Sequence, residues 1–114
     1  MNSFQSLKLV LLLPELTNDI IEKLKKEDRS DLLNQVQELK IISLCECGDP
    51  NCGSFYTIEP SKTENEQLNH EGFRTPLGLI EVFDGEIGFI EIMPSEIGKE
   101  IRTKISKALI REER

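Results

Sequence analysis

The chain has no tryptophan, one tyrosine and one histidine among its 114 residues. With a lone histidine, no G-x-S-x-G elbow and no glycine-rich phosphate loop, the usual catalytic constellations are missing, and no catalytic residue is assigned. Basic residues are scarce as well: 14 lysines and arginines stand against 21 aspartates and glutamates, a formal net charge of −7. Such a chain has little with which to hold a phosphate backbone, so nucleic acid is not an expected partner. Long apolar runs are lacking too. The longest, Leu9 to Leu13, falls far short of the roughly 18–20 residues of a membrane span, and no small-residue cleavage site follows it. The expectation is a soluble, cytoplasmic protein with no membrane partner. Nothing is repetitive, proline-rich or glycine-serine-rich, which excludes solenoids and linker-joined modules. What is present is 38% hydrophobic and 31% charged residue, enough apolar material for one core at this length. Residues 1–114 are read as a single domain.

Periodicity divides the chain into a helical front, a strand-rich middle and a helical tail. Leu16, Ile20, Ile21 and Leu24 recur at helical spacing behind Pro14, with Glu22, Lys23, Lys25 and Lys26 on the other side. A second helix follows Asp28, read as its cap, and presents Leu32, Leu33, Val36 and Leu39. The Leu7–Leu13 run fits a buried strand or a buried helical turn equally and stays unassigned. Ile41–Cys45 and Ser54–Ile58 flank the turn formers Gly48, Asp49, Pro50 and Asn51, which predicts a hairpin. A second hairpin joins Leu79–Phe83 to Glu86–Ile92 through Asp84-Gly85. Pro60 to Pro76 lacks periodicity and reads as a surface loop. Ser95 then caps a last helix bearing Ile97, Ile101, Ile105 and Leu109. The predicted fold class is α+β, with two N-terminal helices, a four-stranded antiparallel sheet made of two hairpins, and a C-terminal helix.

A two-residue turn at Asp84-Gly85 with regular alternation puts Ile80, Val82, Ile87 and Phe89 on one face of the second hairpin. Leu79, Glu81, Ile90 and Ile92 fall on the other. Both faces are largely apolar, so Leu79, Ile90 and Ile92 are candidate interaction residues, with Glu81 at their rim, and a homodimer is the expected use of that face. Glu81 and Glu91 lie on opposite faces in this register and cannot act as a catalytic pair.

The first hairpin carries Cys45-x-Cys47-x4-Cys52. Its register sets Cys47 opposite Cys52, Cys45 opposite Ser54 and Ser43 opposite Tyr56, with the three thiols on one face near one tip and Ile42, Leu44 and Phe55 on the core face. Three readings compete for the cysteines. They are three of four zinc ligands, with His70 as the fourth; or Cys47 and Cys52 form a redox pair; or they are small, half-buried hydrophobes beside a tight turn. On the second reading a cytosolic setting keeps the pair reduced unless it serves as a sensor.

The stretches L-P-E-L (13–16), R-S-D-L-L-N-Q-V (29–36), C-E-C-G-D-P-N-C-G-S-F-Y-T (45–57) and G-L-I-E-V-F-D-G-E-I-G-F-I-E-I (78–92) resemble a group of small bacterial proteins. In that group a C-x-C-G-D-x-x-C…F-Y-T hairpin precedes a second hairpin ending in I-E-I, and no activity is assigned to it. The resemblance implies this layout and a bacterial, cytosolic setting, and adds no mechanism. Function is accordingly expected to be that of an acidic, non-enzymatic protein-interaction module without a cofactor, its protein partner unidentified. The alternative is a structural zinc-binding or thiol-redox protein using Cys45, Cys47 and Cys52.

Overall fold

Proline decides where the leucine-rich run near the N-terminus breaks. Leu13 precedes Pro14, whose ring disfavours a helical residue before it, and Leu13 sits at φ −130° and ψ 68°. The run is therefore one helical turn, α1 (Leu9–Leu12), followed by α2 (Pro14–Lys26), which starts on the proline. The computed structural model describes residues 7–65 and 68–112 of the chain. The spacing-derived stripe of α2 is buried at Leu16, Ile20 and Leu24, joined by Thr17, whose hydroxyl donates to the Leu13 carbonyl at 2.8 Å. Asp28 does not cap the next helix. It closes α2 in the left-handed conformation, φ +59°, while its N–H donates to Lys25 O and that of Arg29 to Leu24 O. These are the two bonds of a Schellman closure. Arg29 is then the cap residue of α3 (Ser30–Val36).

Five antiparallel strands follow among the described residues: β1 (Ser43–Leu44), β2 (Phe55–Tyr56), β3 (His70–Thr75), β4 (Gly78–Phe83) and β5 (Glu86–Ile92), in the order β1-β2-β5-β4-β3. A 3₁₀ turn (Pro60–Thr63) lies between β2 and β3, and α4 (Ser95–Glu112) ends the fold. The α+β class is as expected, with five strands in place of four. The fifth, β3, comes out of the segment read as a loop. Its inward positions are Glu71, Phe73 and Thr75, too polar to register as an apolar face. Arg29 makes that face tolerable. It bonds Glu71 at 2.6 Å and Asp31 at 2.9 Å and lies over the Phe73 ring at 5.5 Å, and these carboxylates, Asp31 first, hold its guanidinium above its ordinary, already high value.

The helices share one side of the sheet, α2 against β3 and both α3 and α4 against β5. Leu9, Ile20, Leu24, Leu32, Ile80, Ile87 and Ile105 are fully buried between them. Gln35 of α3 fixes the sheet's far turn, donating to Gly85 O at 2.7 Å and accepting from Ile87 N–H at 2.9 Å. That turn has positive φ at both Asp84 (+55°) and Gly85 (+83°), the type I′ geometry the Asp-Gly pair predicts.

The β4–β5 register departs from regular alternation. Val82 pairs with Ile87, as expected, but Glu81 pairs with Phe89 and Ile80 with Ile90, leaving Gly88 as the extra residue of a bulge. A Cβ at Gly88 would stand 2.6 Å from Phe83 Cδ2 and 2.8 Å from Ile58 Cδ1, so only glycine fits there. One inserted residue flips everything beyond it. Ile90 and Ile92, expected on the open face, are core residues packed with Ile80, Val82 and Ile87. Phe89 and Glu91 take the open face, so Glu81 and Glu91 share it rather than lying on opposite sides. In the first hairpin the register is as read, Ser43 opposite Tyr56 and Leu44 opposite Phe55. Ile41 is buried there, whereas Ile42, assigned to the core face, is exposed.

Candidate functional site

The loop between β1 and β2 gathers all the chain's cysteines. Gly48, at φ +88°, makes the reversal that a side chain would resist. Asp49 then holds the turn through one side-chain and one main-chain oxygen: Oδ1 accepts the Asn51 N–H at 2.9 Å and the main-chain O accepts that of Cys52 at 3.0 Å. The Cys45 N–H donates to Ser54 O at 3.0 Å and continues the ladder to the loop's base. The outcome is that the sulfurs of Cys45, Cys47 and Cys52 lie within 4.8 Å of one another. Cys47 is exposed; Cys45 and Cys52 are half-buried.

Their surroundings make the thiols unequal. Burial pushes the Cys45 thiol up to about 11, with the neighbouring Cys52 charge adding to the rise. Cys47 moves the other way: a hydrogen bond from the Asp49 backbone N–H, then those from Cys52 and Cys45, stabilise its thiolate and hold it below the ordinary cysteine value. One exposed thiol therefore ionises readily beside two partners that can share or accept its charge.

The first two turns of α4 press on this loop. Gly98 and Gly53 meet backbone to backbone: a Cβ on Gly98 would stand 2.3 Å from Asn51 O, and one on Gly53 2.6 Å from Gly98 O. One turn further on, Arg102 Nη1 donates to the carbonyls of Cys45 and Cys52, each at 3.2 Å. Both ends of the cysteine loop are thus tied to one guanidinium. Sequence reasoning missed Arg102, which reads as a solvent-facing helical cation. It also missed Gly98, although a glycine inside an apolar helical stripe is a signal of close packing.

His70 is not part of the cluster. It lies on β3, at the opposite edge of the sheet from β1, with Nε2 2.9 Å from Glu81 Oε1 and its ring stacked on Phe83 at 4.8 Å. Among the described residues no histidine or carboxylate joins the three sulfurs. Of the residues read as an interaction surface, Leu79 and Glu81 do lie on the face away from the helices, half-buried, while Ile90 and Ile92 face the core. No helix among the described residues is long and apolar enough to cross a membrane. Comparison with protein-family models, curated proteins and solved structures finds no match to this chain.

Proposed function

We propose that this chain binds a thiophilic metal ion, zinc in the first instance, through Cys45, Cys47 and Cys52. The observation that carries the reading is the convergence of the three sulfurs within 4.8 Å on a loop braced by its own backbone and by Arg102. Thiolates about 2.3 Å from one zinc stand roughly 3.8 Å apart, so rotamer adjustment alone closes the cluster on an ion. With His70 at the far edge and no further histidine, cysteine or carboxylate beside the sulfurs among the described residues, the fourth position would be taken by water or by a ligand from another molecule, at the side where Cys47 is exposed. Such a site suits exchange of the ion more than burial of it. The convergence favours a metal over the reading of the cysteines as packed hydrophobes, because Cys47 is exposed and gains no burial from its place beside the other two sulfurs. Redox pairing of Cys47 with Cys52 would use the same sulfurs and would remove two ligands at once.

The test is thermal unfolding of the reduced chain with and without zinc. Binding to the folded state alone stabilises by about 2.7 kcal/mol at one hundred times Kd, a rise of roughly ten degrees for a domain of this size. The rise is expected in the native chain and absent in Cys52→Ser. Equal melting with and without zinc contradicts the reading.

A further inference from the structure

A second concavity opens on the sheet face away from the helices and uses none of the thiols. Pairing places Tyr56, Phe89, Glu81 and Gly72 in one row across β2, β5, β4 and β3, so their side chains share a face. The row owes its composition to the Gly88 bulge, which brings Phe89 to this face. Tyr56 and Phe89 touch as a tilted pair, ring centres 4.6 Å apart, and in the next row His70 stacks on Phe83. With them, Thr63 and Leu68 line a cavity of about 480 Å³. That is ample for a small organic molecule and at the lower end of ordinary ligand pockets.

Three aromatic rings and the His70 imidazole form much of the wall, Glu81 is the one carboxylate among the described lining residues, and no lysine or arginine is among them. Glu81 is four-fifths buried, with its Oε1 toward His70 Nε2 and Gly72 beside it presenting no side chain. On β3 the arginine of the same face, Arg74, pairs with Leu79, two residues along from Glu81, and does not line the cavity. Burial raises the Tyr56 phenol above its ordinary value, and the carboxylates of Glu64, Glu81 and Glu46 add to the rise, so the acidic groups at the rim act with the same sign as Glu81. A carboxylate at the floor of an aromatic-walled cavity fits a cation: the ammonium donates to the carboxylate and the rings take its apolar body, their negative faces adding to the attraction. An anionic ligand of the same shape meets repulsion instead.

We infer that the cavity bounded by Tyr56, Phe83, Phe89, His70 and Glu81 is a binding site for a small organic amine. The site is independent of the metal reading, and its test leaves the cysteines reduced and metal-free throughout. Backbone and aromatic NMR resonances of the full chain are followed at pH 7.5 while phenethylamine is added, with phenylacetate as the probe of matching body and opposite charge. Phenethylamine is expected to shift Tyr56, Phe83 and Phe89 along saturable curves in the millimolar range usual for a fragment, and phenylacetate to leave them unmoved. Glu81→Gln keeps the shape and removes the charge. It is expected to weaken the amine roughly tenfold or more, the value of one charge-assisted hydrogen bond. Phe89→Leu gives a second readout on the wall, and the comparison of the two probes on the native chain stands even if either variant fails to fold. Equal shifts with both probes, no saturation with the amine, or a folded Glu81→Gln of unchanged affinity overturns the proposal.

Discussion

Three cysteines of identical side chain acquire different chemistry from a few ångströms of surroundings. Cys45 loses water and is pushed up to about 11, while Cys47 gains the Asp49 N–H and is held below the ordinary value. Alkylation by iodoacetamide, which requires the thiolate, should therefore modify Cys47 before Cys45 at neutral pH. Peptide mass spectrometry at short times reads that order directly, and Cys45 labelling as fast as Cys47 contradicts it. The sign of the pH dependence follows. Because Cys45 must shed its proton to ligate, metal affinity is expected to fall as the solution is acidified and to rise with pH through the neutral range. The three-thiol cluster was legible in the sequence, since a four-residue reversal over Gly48 fixes the register that brings it together. The inequality of the thiols was not, because it depends on burial and on one backbone N–H. Arg102 was equally hidden, its role being set by two carbonyls that lie 50 and 57 residues away.

At the scale of elements, helix α4 is tied to the cysteine loop by an absence of side chains. Propensity alone favours alanine over glycine by about 1 kcal/mol in a helix interior. At Gly98 the sign should reverse, because a Cβ would enter the Asn51 carbonyl at 2.3 Å and overpacking of this kind costs typically 1–3 kcal/mol. Gly98→Ala is thus expected to lower stability in urea unfolding, and a more stable variant would mean that α4 does not seat on the loop. The helices and the Asp-Gly hairpin were readable because each carries its own local signal: stripe, cap and turn. β3 carries none. Its inner face is made acceptable by Arg29, contributed from more than forty residues earlier, so local alternation could not announce it.

The whole molecule turns on the bulge at Gly88, which decides what faces the core and what faces out. Ile90 is packed in the core and Glu91 is not, so Ile90→Asp should cost about 3–5 kcal/mol as an unpaired buried charge, and Glu91→Ala less than about 0.5 kcal/mol. Regular alternation puts Ile90 on the open face and would make that substitution mild, so denaturant midpoints of the two variants separate the registers. A glycine inside a strand was the available signal, and it points to a bulge only when the strand is not assumed to be regular. With Phe89 turned outward, the sheet has two chemically distinct sites on the side away from the helices and at its β1–β2 edge, an aromatic and acidic cavity and a thiol cluster, while the helices close the other face. The cluster carries the central claim, and the most direct measurement of it is zinc titration of the reduced chain against a chromophoric chelator. One zinc is expected per chain, with binding lost in Cys52→Ser and retained in His70→Ala. Zinc held as tightly by Cys52→Ser as by the native chain, or no competition with the chelator at all, would contradict it.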